Sequence, residues 1–487
     1  RAMASPRQPD GGTRTAGFGA LFSAVMLPMF MAAIDQTLLA SATPRIAAEL
    51  GGLSDTSWVI VGYLLAATLM APVYGRMGDR FGRRNVMLSA LAVFMAGSLA
   101  CALAPTMPVL ITSRVLQGLG GGGLMVLSQA LIGELVPPWE RPRYQGYFAM
   151  VFTTSSVLGP LLGGAVVSGG DWRWLFLANL PLGLIAAWRV SRLPRPQPSP
   201  LRHAPYDPAG LVLFVLCACS ALLWLGQVGQ RIPLLSPASA LLVGVAAGTG
   251  TLLWWQQRRH ANPFLPLDIL RLDGVPWLCL SVIGFAGSLF AMVFLLPIFL
   301  HVVHGTSAVG SGLQLLPLTL GIVAGSTLNS RFTLRVQRTG VLPPWGLCAA
   351  AAGLVVLALL PRTHAVITAA VALCGIGFGT VMPNAQLATQ MLAGRARLGA
   401  AAALLSLVRS TGASVGTAAF GGLLFVLLRS PQAGRTREAL RLDSMDPQQV
   451  ASSFRVVFLS LAAFVLCGAV AAWRAPRVPL REQAPQA

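Results

Sequence analysis

Apolar runs of about twenty residues recur fourteen times along this chain, separated by short gaps that hold most of its arginines. A run of that length crosses roughly 30 Å of hydrocarbon as an α-helix, and in lipid only helices and closed barrels satisfy every backbone N–H and C=O. The runs lie near residues 17–41, 56–75, 86–104, 108–134, 143–168, 173–190, 209–228, 236–256, 276–300, 309–330, 343–360, 365–391, 399–428 and 453–473. They predict an all-α polytopic membrane protein with 14 transmembrane helices. Composition agrees: of 487 residues 55% are hydrophobic and only 10% charged, whereas soluble domains are about 25% charged.

The formal charge of +20 does not point to nucleic acid. Lysine is absent, and the arginines sit in the gaps between runs instead of forming a tail or a stripe. Their placement sets an orientation. Arg76, Arg80, Arg83 and Arg84, then Arg141 and Arg143, Arg189 and Arg192, Arg258 and Arg259, Arg331 and Arg335, Arg395 and Arg397, and Arg474 all fall in alternate gaps. The other gaps hold fewer, and near 429–452 Glu438, Asp443 and Asp446 offset the arginines, so a small external element is expected there. By the positive-inside rule both termini face the cytoplasm, and the chain is expected in a bacterial inner (cytoplasmic) membrane.

Residues 1–16 are expected to be a disordered leader, 17–190 a six-helix bundle and 191–208 a proline-rich cytoplasmic linker. Residues 209–256 carry almost no polar groups and are expected to form an inserted, lipid-facing helix pair. A second six-helix bundle, 257–473, and a cytoplasmic tail, 474–487, complete the chain. The seven cysteines lie in apolar runs without metal-ligand spacing, which indicates packing. No metal or cofactor is expected, and no His/Cys/Asp/Glu cluster at membrane depth offers enzyme chemistry.

The first run contains Asp35, an acid near the middle of an apolar stretch from Ala16 to Ala42. A carboxylate at that depth costs roughly 2.5–3.5 kcal/mol on insertion scales. In the fourth run Arg114 stands with Gln117 and Gly118 on one helical face, so a pairing of Arg114 with Asp35, direct or through water, is the first expectation. The alternative is that Arg114 snorkels to the outer interface. Between runs two and three, Gly75, Gly78, Asp79, Arg80, Gly82, Arg83 and Arg84 form a glycine-punctuated basic loop in which Asp79 is placed to bind an arginine or a helix N-terminus. In the fifth run Ser155, Gly159 and Gly163 repeat small residues at i, i+4 and i+8, a face that lets two helices approach backbone to backbone, and Pro160, within the Gly159 to Gly164 stretch, loosens the helix there.

Together these residues resemble the major facilitator superfamily, and within it the fourteen-span drug/proton antiporter family, over essentially the whole chain. Ile34 to Thr37 with Ala42 to Pro44 is similar to that family's span-1 signature, Gly75 to Arg84 to the superfamily loop motif, Arg114 to Gly118 to the span-4 motif, and Gly159 to Gly164 to the antiporter motif. Trp172 to Gly183 resembles the start of span 6. The pattern departs at Ala40, Thr43 and His301, and the loop Asn329 to Gly340, which lines up with a second copy of the loop motif, has lost its acid.

The resemblance implies a major facilitator fold arranged 6 + 2 + 6, two halves rocking around a midplane site, and proton-driven efflux of small amphipathic drugs or toxic compounds. Asp35 and Arg114 would couple the proton, with no cofactor, and the Gly75 to Arg84 loop would gate. One intramembrane acid set against two deep arginines, Arg114 and Arg409, predicts a cavity that is not strongly electronegative and cargo that is monovalent cationic, zwitterionic or neutral. Expected cargo contacts are Tyr63, Phe152, Phe285, Phe290 and Phe294, with Gln36, Gln117, Gln129, Gln314, Asn384 and Arg409 as polar groups. Partners are protons, cargo and the lipid bilayer, and a monomer is expected. The competing expectation on the same fold is a dedicated exporter of an endogenous metabolite, siderophore or lipid-like molecule.

Overall fold

The computed structural model describes residues 14–51, 56–194, 207–227, 233, 236–260, 263–264, 268–306, 314–360, 363–428 and 447–480. Most of the expected leader, the proline-rich linker and the external element near 429–452 lie outside the described residues. The first half holds α1 (Arg14–Leu50), α2 (Thr56–Phe81), α3 (Arg83–Ala102), α4 (Met107–Leu135), α5 (Arg141–Gly169), α6 (Arg173–Leu177) and α7 (Asn179–Ser191). Then come α8 (Pro208–Gln227), α9 (Pro237–Arg259) and the short α10 (Asp268–Arg271). The second half holds α11 (Val275–His304), α12 (Leu316–Val336), α13 (Pro343–Leu359), α14 (His364–Gly379), α15 (Val381–Ala393), α16 (Leu398–Leu428) and α17 (Pro447–Arg474). Among the described residues twelve helical segments are long and apolar enough to cross a membrane. Two of the fourteen expected spans fall short of that mark. In α12, Asn329, Ser330, Arg331, Thr333 and Arg335 occupy the second half, and α13 has only 17 residues.

In lipid no hydrophobic force drives helices together, so close backbone packing carries much of their association. In the first half, α4 is the centre because its run Gly118 to Gly123 lets α2 and α3 come to backbone contact. A Cβ on Gly122 would overlap the Ala67 carbonyl of α2, and one on Gly120 the Phe94 amide of α3. At Gly82 the chain turns from α2 into α3 with φ 90°, which disfavours any L side chain. The second half repeats the plan around α14, where a Cβ on Gly377 would overlap the Gly346 carbonyl of α13 and one on Gly379 the Ile322 carbonyl of α12, while Phe299 of α11 meets Phe454 and Phe458 of α17 edge-on.

Helices α8 and α9 pack chiefly on each other and expose Leu216, Leu241, Trp254 and Trp255. Phe214 of α8 and Leu253 of α9, with Phe264 beyond α9, meet Val73 of α2 and Leu407 of α16. Asp207 ties this pair together. Its carboxylate accepts from the Gly210 and Phe264 amides at 2.8 and 2.9 Å and from the Gln256 and Gln257 side chains at 2.6 and 3.0 Å. Burial works to raise the Asp207 pKa, but those donors and the nearby His260 outweigh it, so the carboxyl sits below the ordinary carboxylate range. Because the folded pKa is the lower one, Asp207's stabilisation is complete above the unfolded value near 4 and is lost as pH falls through the folded value. Asp207→Ala orphans two buried amides and is expected to cost about 1–3 kcal/mol in thermal unfolding at neutral pH. The difference from wild type should shrink in acid, and an undiminished difference there would count against this account.

The contacts that join the two halves gather at the arginine-rich end. Gln390 Nε2 donates to the Gln129 carbonyl at 3.3 Å, Gly146 of α5 abuts Ser330 of α12, and Gly133 of α4 abuts Gln390 and Leu398. Thr68 and Ser410, 3.4 Å apart, mark the deepest of these contacts. Where the resemblance lines up a second loop motif, the backbone after α12 instead pairs with the end of the chain: Thr339 N donates to Val478 O, and Leu480 N to Gln337 O.

Candidate functional site

A cavity and a latch at the arginine-rich end stand where the halves meet, and a buried ion pair lies within the first half. The ion pair joins α1 to α4. Arg114 Nη1 donates to Asp35 Oδ2 at 2.6 Å and to Gln117 Oε1 at 2.5 Å, while its Nε donates to Val59 O at 3.1 Å. The Tyr63 ring lies 4.3 Å from the guanidinium carbon. The other carboxylate oxygen accepts from Gln117 Nε2 at 2.9 Å and Asn179 Nδ2 at 3.2 Å. Both amides also donate to Ser98 Oγ, at 2.9 and 2.8 Å. Asp35 is 2% exposed and Arg114 1%, so the pairing is direct and Arg114 does not snorkel.

Such a cluster can do one thing with large consequence. A proton on Asp35 would remove the charge that holds Arg114, Gln117 and Asn179 in place, loosening α1 from α4 and α7. Two residues along, Thr37 Oγ1 donates to the Ser155 carbonyl of α5 at 2.9 Å, and Gly159 leaves the gap that Thr37 fills. The glycine is required at that approach, whereas a side chain on Gly164 would meet open space. Gly163 is buried, and the Pro160 side chain lies outside the described residues.

The cavity, of about 280 Å³, lies between the halves and is lined by α1, α4, α5, α11, α12 and α14 to α16. That size approaches the lower end of pockets for drug-sized ligands. Of the expected cargo contacts, Gln129, Phe152, Phe285, Phe290 and Arg409 line it. The others do not. Tyr63 and Gln117 are buried in the Asp35 cluster, and Gln36 turns its amide to Met125 Sδ at 3.9 Å. Asn384 accepts from Gly340 N at the arginine-rich end, and Gln314 accepts from Thr368 at the opposite end. On α11, Phe285, Leu289 and Val293 face the cavity at i, i+4 and i+8. Phe294, roughly 100° further round, packs instead against the core beside Gly421. Asp35 and Arg114 are not in the lining either.

At the arginine-rich end, Asp79 caps α16. Its carboxylate accepts from the Gly399 and Ala400 amides, both at 2.9 Å, and from Arg83 at 2.6 Å. Arg83 also donates to Glu134 at 2.7 Å and to the Arg395 carbonyl at 3.1 Å. Gly75 permits this contact, since a Cβ there would lie 2.5 Å from the Gly399 carbonyl. Gly78 backs onto Leu127 and Arg83, Arg80 covers Phe81, and Arg84 donates to the Ser191 carbonyl. Ser98, Glu134 and the cavity residues Phe148, Phe378 and Ser326 were not among the expected site residues, and Asn179 entered only as part of a motif. A lone serine or asparagine in an apolar run is the one signal that marks Ser98 and Asn179.

Two helical halves around a shared cavity, closed at one end and backed by a buried ion pair, define a membrane transporter. The chain belongs to the Major Facilitator Superfamily, whose family model matches residues 25–417. The multidrug transporter protein MdtP of Bacillus subtilis is 31% identical over 447 residues, covering 89% of this chain and 80% of that one. A transporter of Escherichia coli, YebQ, is 33% identical over 415 residues, covering 84% and 90%. An MFS-type transporter of Mycobacterium tuberculosis is 35% identical over 416 residues, but the match spans only 59% of that longer relative. Among solved structures, the proton:xylose symporter XylE shares the fold with a TM-score of 0.65 at 13% identity, over 95% of this chain and 97% of that one. The human organic anion transporter MFSD10 shares it with a TM-score of 0.62 at 16% identity, over 92% and 99%. The family makes this a multi-pass membrane transporter and not an enzyme.

Proposed function

We propose that this protein exports small amphipathic molecules across the bacterial cytoplasmic membrane in exchange for protons, by alternating access. It works as a fourteen-span monomer with both termini in the cytoplasm and no cofactor. The observation that carries this proposal is the buried Asp35–Arg114 pair, set in the wall helices of the cavity but outside its lining. With the arginine-rich end taken as cytoplasmic, the latched conformation presents the cavity outward. Protonation of Asp35 would then act on cargo through α1 and α5, at the Thr37–Gly159 seam, and not by direct contest for one binding site. A relative from Aspergillus niger that is named an efflux pump supports the export direction. Of the cargo charges expected from sequence, neutral and zwitterionic fit the lining better than cationic, because the described lining carries no carboxylate.

The test is proton release from purified, weakly buffered protein on addition of phenylnaphthylamine, a neutral amphipathic dye. Wild type is expected to release protons as the dye binds, and Asp35→Asn to release none. Equal release from both would remove Asp35 from the coupling role, and no release from either would remove proton exchange with this class of cargo.

A further inference from the structure

The cavity holds one formal charge and nothing to balance it. Arg409, in α16, is the sole charged residue in the described lining, which contains no aspartate or glutamate. Among the described residues Arg409 has no hydrogen-bond or ion-pair partner. Arg114, the other deep arginine, is matched by Asp35, Gln117, Val59 and the Tyr63 ring. A second group in the same lining is equally unspent: the Ser326 hydroxyl is buried and has no hydrogen-bond partner among the described residues. The rest of the wall is largely apolar and aromatic, with Phe148, Phe152, Phe285, Phe290 and Phe378.

We infer that Arg409 is the anchor for an anionic head group, and that the preferred cargo is an amphipathic monoanion: one carboxylate or sulfonate on an aromatic or aliphatic body. This rests on the export function proposed above and names its substrate class. A guanidinium in a low-dielectric pocket gains most from a planar or tripodal oxyanion, which takes its paired N–H donors and cancels its charge. One arginine balances one negative charge, so a dianion would leave a surplus in the pocket. A cation would face Arg409 across a narrow, poorly screened space, where like charges repel strongly. The ring faces supply the place for the body, and the Ser326 hydroxyl supplies a further donor.

A matched pair of fluorescent dyes tests this. Anilinonaphthalene sulfonate and phenylnaphthylamine share one body and differ by the sulfonate. Purified wild-type protein is expected to bind the sulfonate at least tenfold more tightly, after subtraction of detergent blanks. In Arg409→Gln the ratio of the two affinities is expected to fall to about one, and in Arg409→Lys to recover in part. Equal affinities in wild type, failure to bind the sulfonate, or a ratio unchanged in Arg409→Gln would each overturn the inference. The wild-type ratio needs no variant to fold. Export is scored separately in proteoliposomes: proton-driven export of both dyes at equal rates would leave the transport function standing and remove only the anion preference. Tight sulfonate binding without proton-driven export of either dye would do the reverse.

Discussion

Asp35→Asn is expected to reduce proton-driven efflux to background and, in detergent, to destabilise the protein more than Arg114→Leu does. Both effects come from the same geometry. Among the described residues the Asp35 carboxylate is the only negative charge against a guanidinium that is 1% exposed. Removing one partner of a buried pair costs about 3–5 kcal/mol, because the other charge is left uncompensated. The two partners are not equivalent, however. A guanidinium cannot give up its proton, whereas a carboxyl can take one and become neutral. Arg114→Leu therefore leaves a group that can neutralise itself and still meet Gln117 and Asn179, while Asp35→Asn leaves a charge that cannot be discharged. The double variant Asp35→Asn/Arg114→Leu should regain more than half of the stability lost in Asp35→Asn, and should remain inactive. Thermal unfolding of the four proteins, set beside dye efflux in everted vesicles, reads both quantities. A double variant no more stable than Asp35→Asn would show that the pair is not what the charge network depends on.

That pairing was legible in the sequence because two charges in apolar runs have few ways to be satisfied. The loop from Gly75 to Arg84 was legible as a glycine-punctuated basic turn with a placed acid, but the object it grips was not. Asp79 binds the backbone amides of Gly399 and Ala400, and backbone groups at a helix start carry no side-chain signature. The cavity lining was the least legible part. A helix that is apolar all round presents no stripe from which to read its facing, so Phe294 was indistinguishable from Phe285, and Gln36 from Gln129. Arg409 could be seen as a deep cation, yet only its surroundings show that it faces a cavity without an acid, and this is why the expected cargo charge shifts away from cationic.

Loss of the latch should open a passage that is closed in this conformation. On α12, Ser326, Asn329, Ser330 and Thr333 repeat at helical spacing and are all buried, and on α15 so are Gln386, Thr389 and Gln390. Among the described residues the side chains of Gln386 and Thr389 and the Asn329 side-chain oxygen have no hydrogen-bond partner. Buried polar groups without partners are costly, and a face of them beneath a closed gate is suited to a wall that water and cargo touch when the halves rock. Asp79 reaches across to α16 with two charge-assisted bonds, while its ion pair to Arg83 lies within the first half. Removing them in Asp79→Ala would shift the closed-to-open balance by about 3 kcal/mol, or roughly a hundredfold. Ser330→Cys and Thr389→Cys, probed from the arginine-rich side with a membrane-impermeant thiol reagent, are expected to react slowly alone and up to a hundredfold faster with Asp79→Ala. The native cysteines serve as the blank. Gly75→Val should give the same acceleration by a different route, since its side chain collides with the Gly399 backbone while leaving the Asp79 carboxylate in place. Efflux should fall at least tenfold in both, because a gate that cannot close cannot present the cavity to the other side. If thiol labelling at positions 330 and 389 stays slow in both backgrounds, the Asp79 contact is not what seals that end.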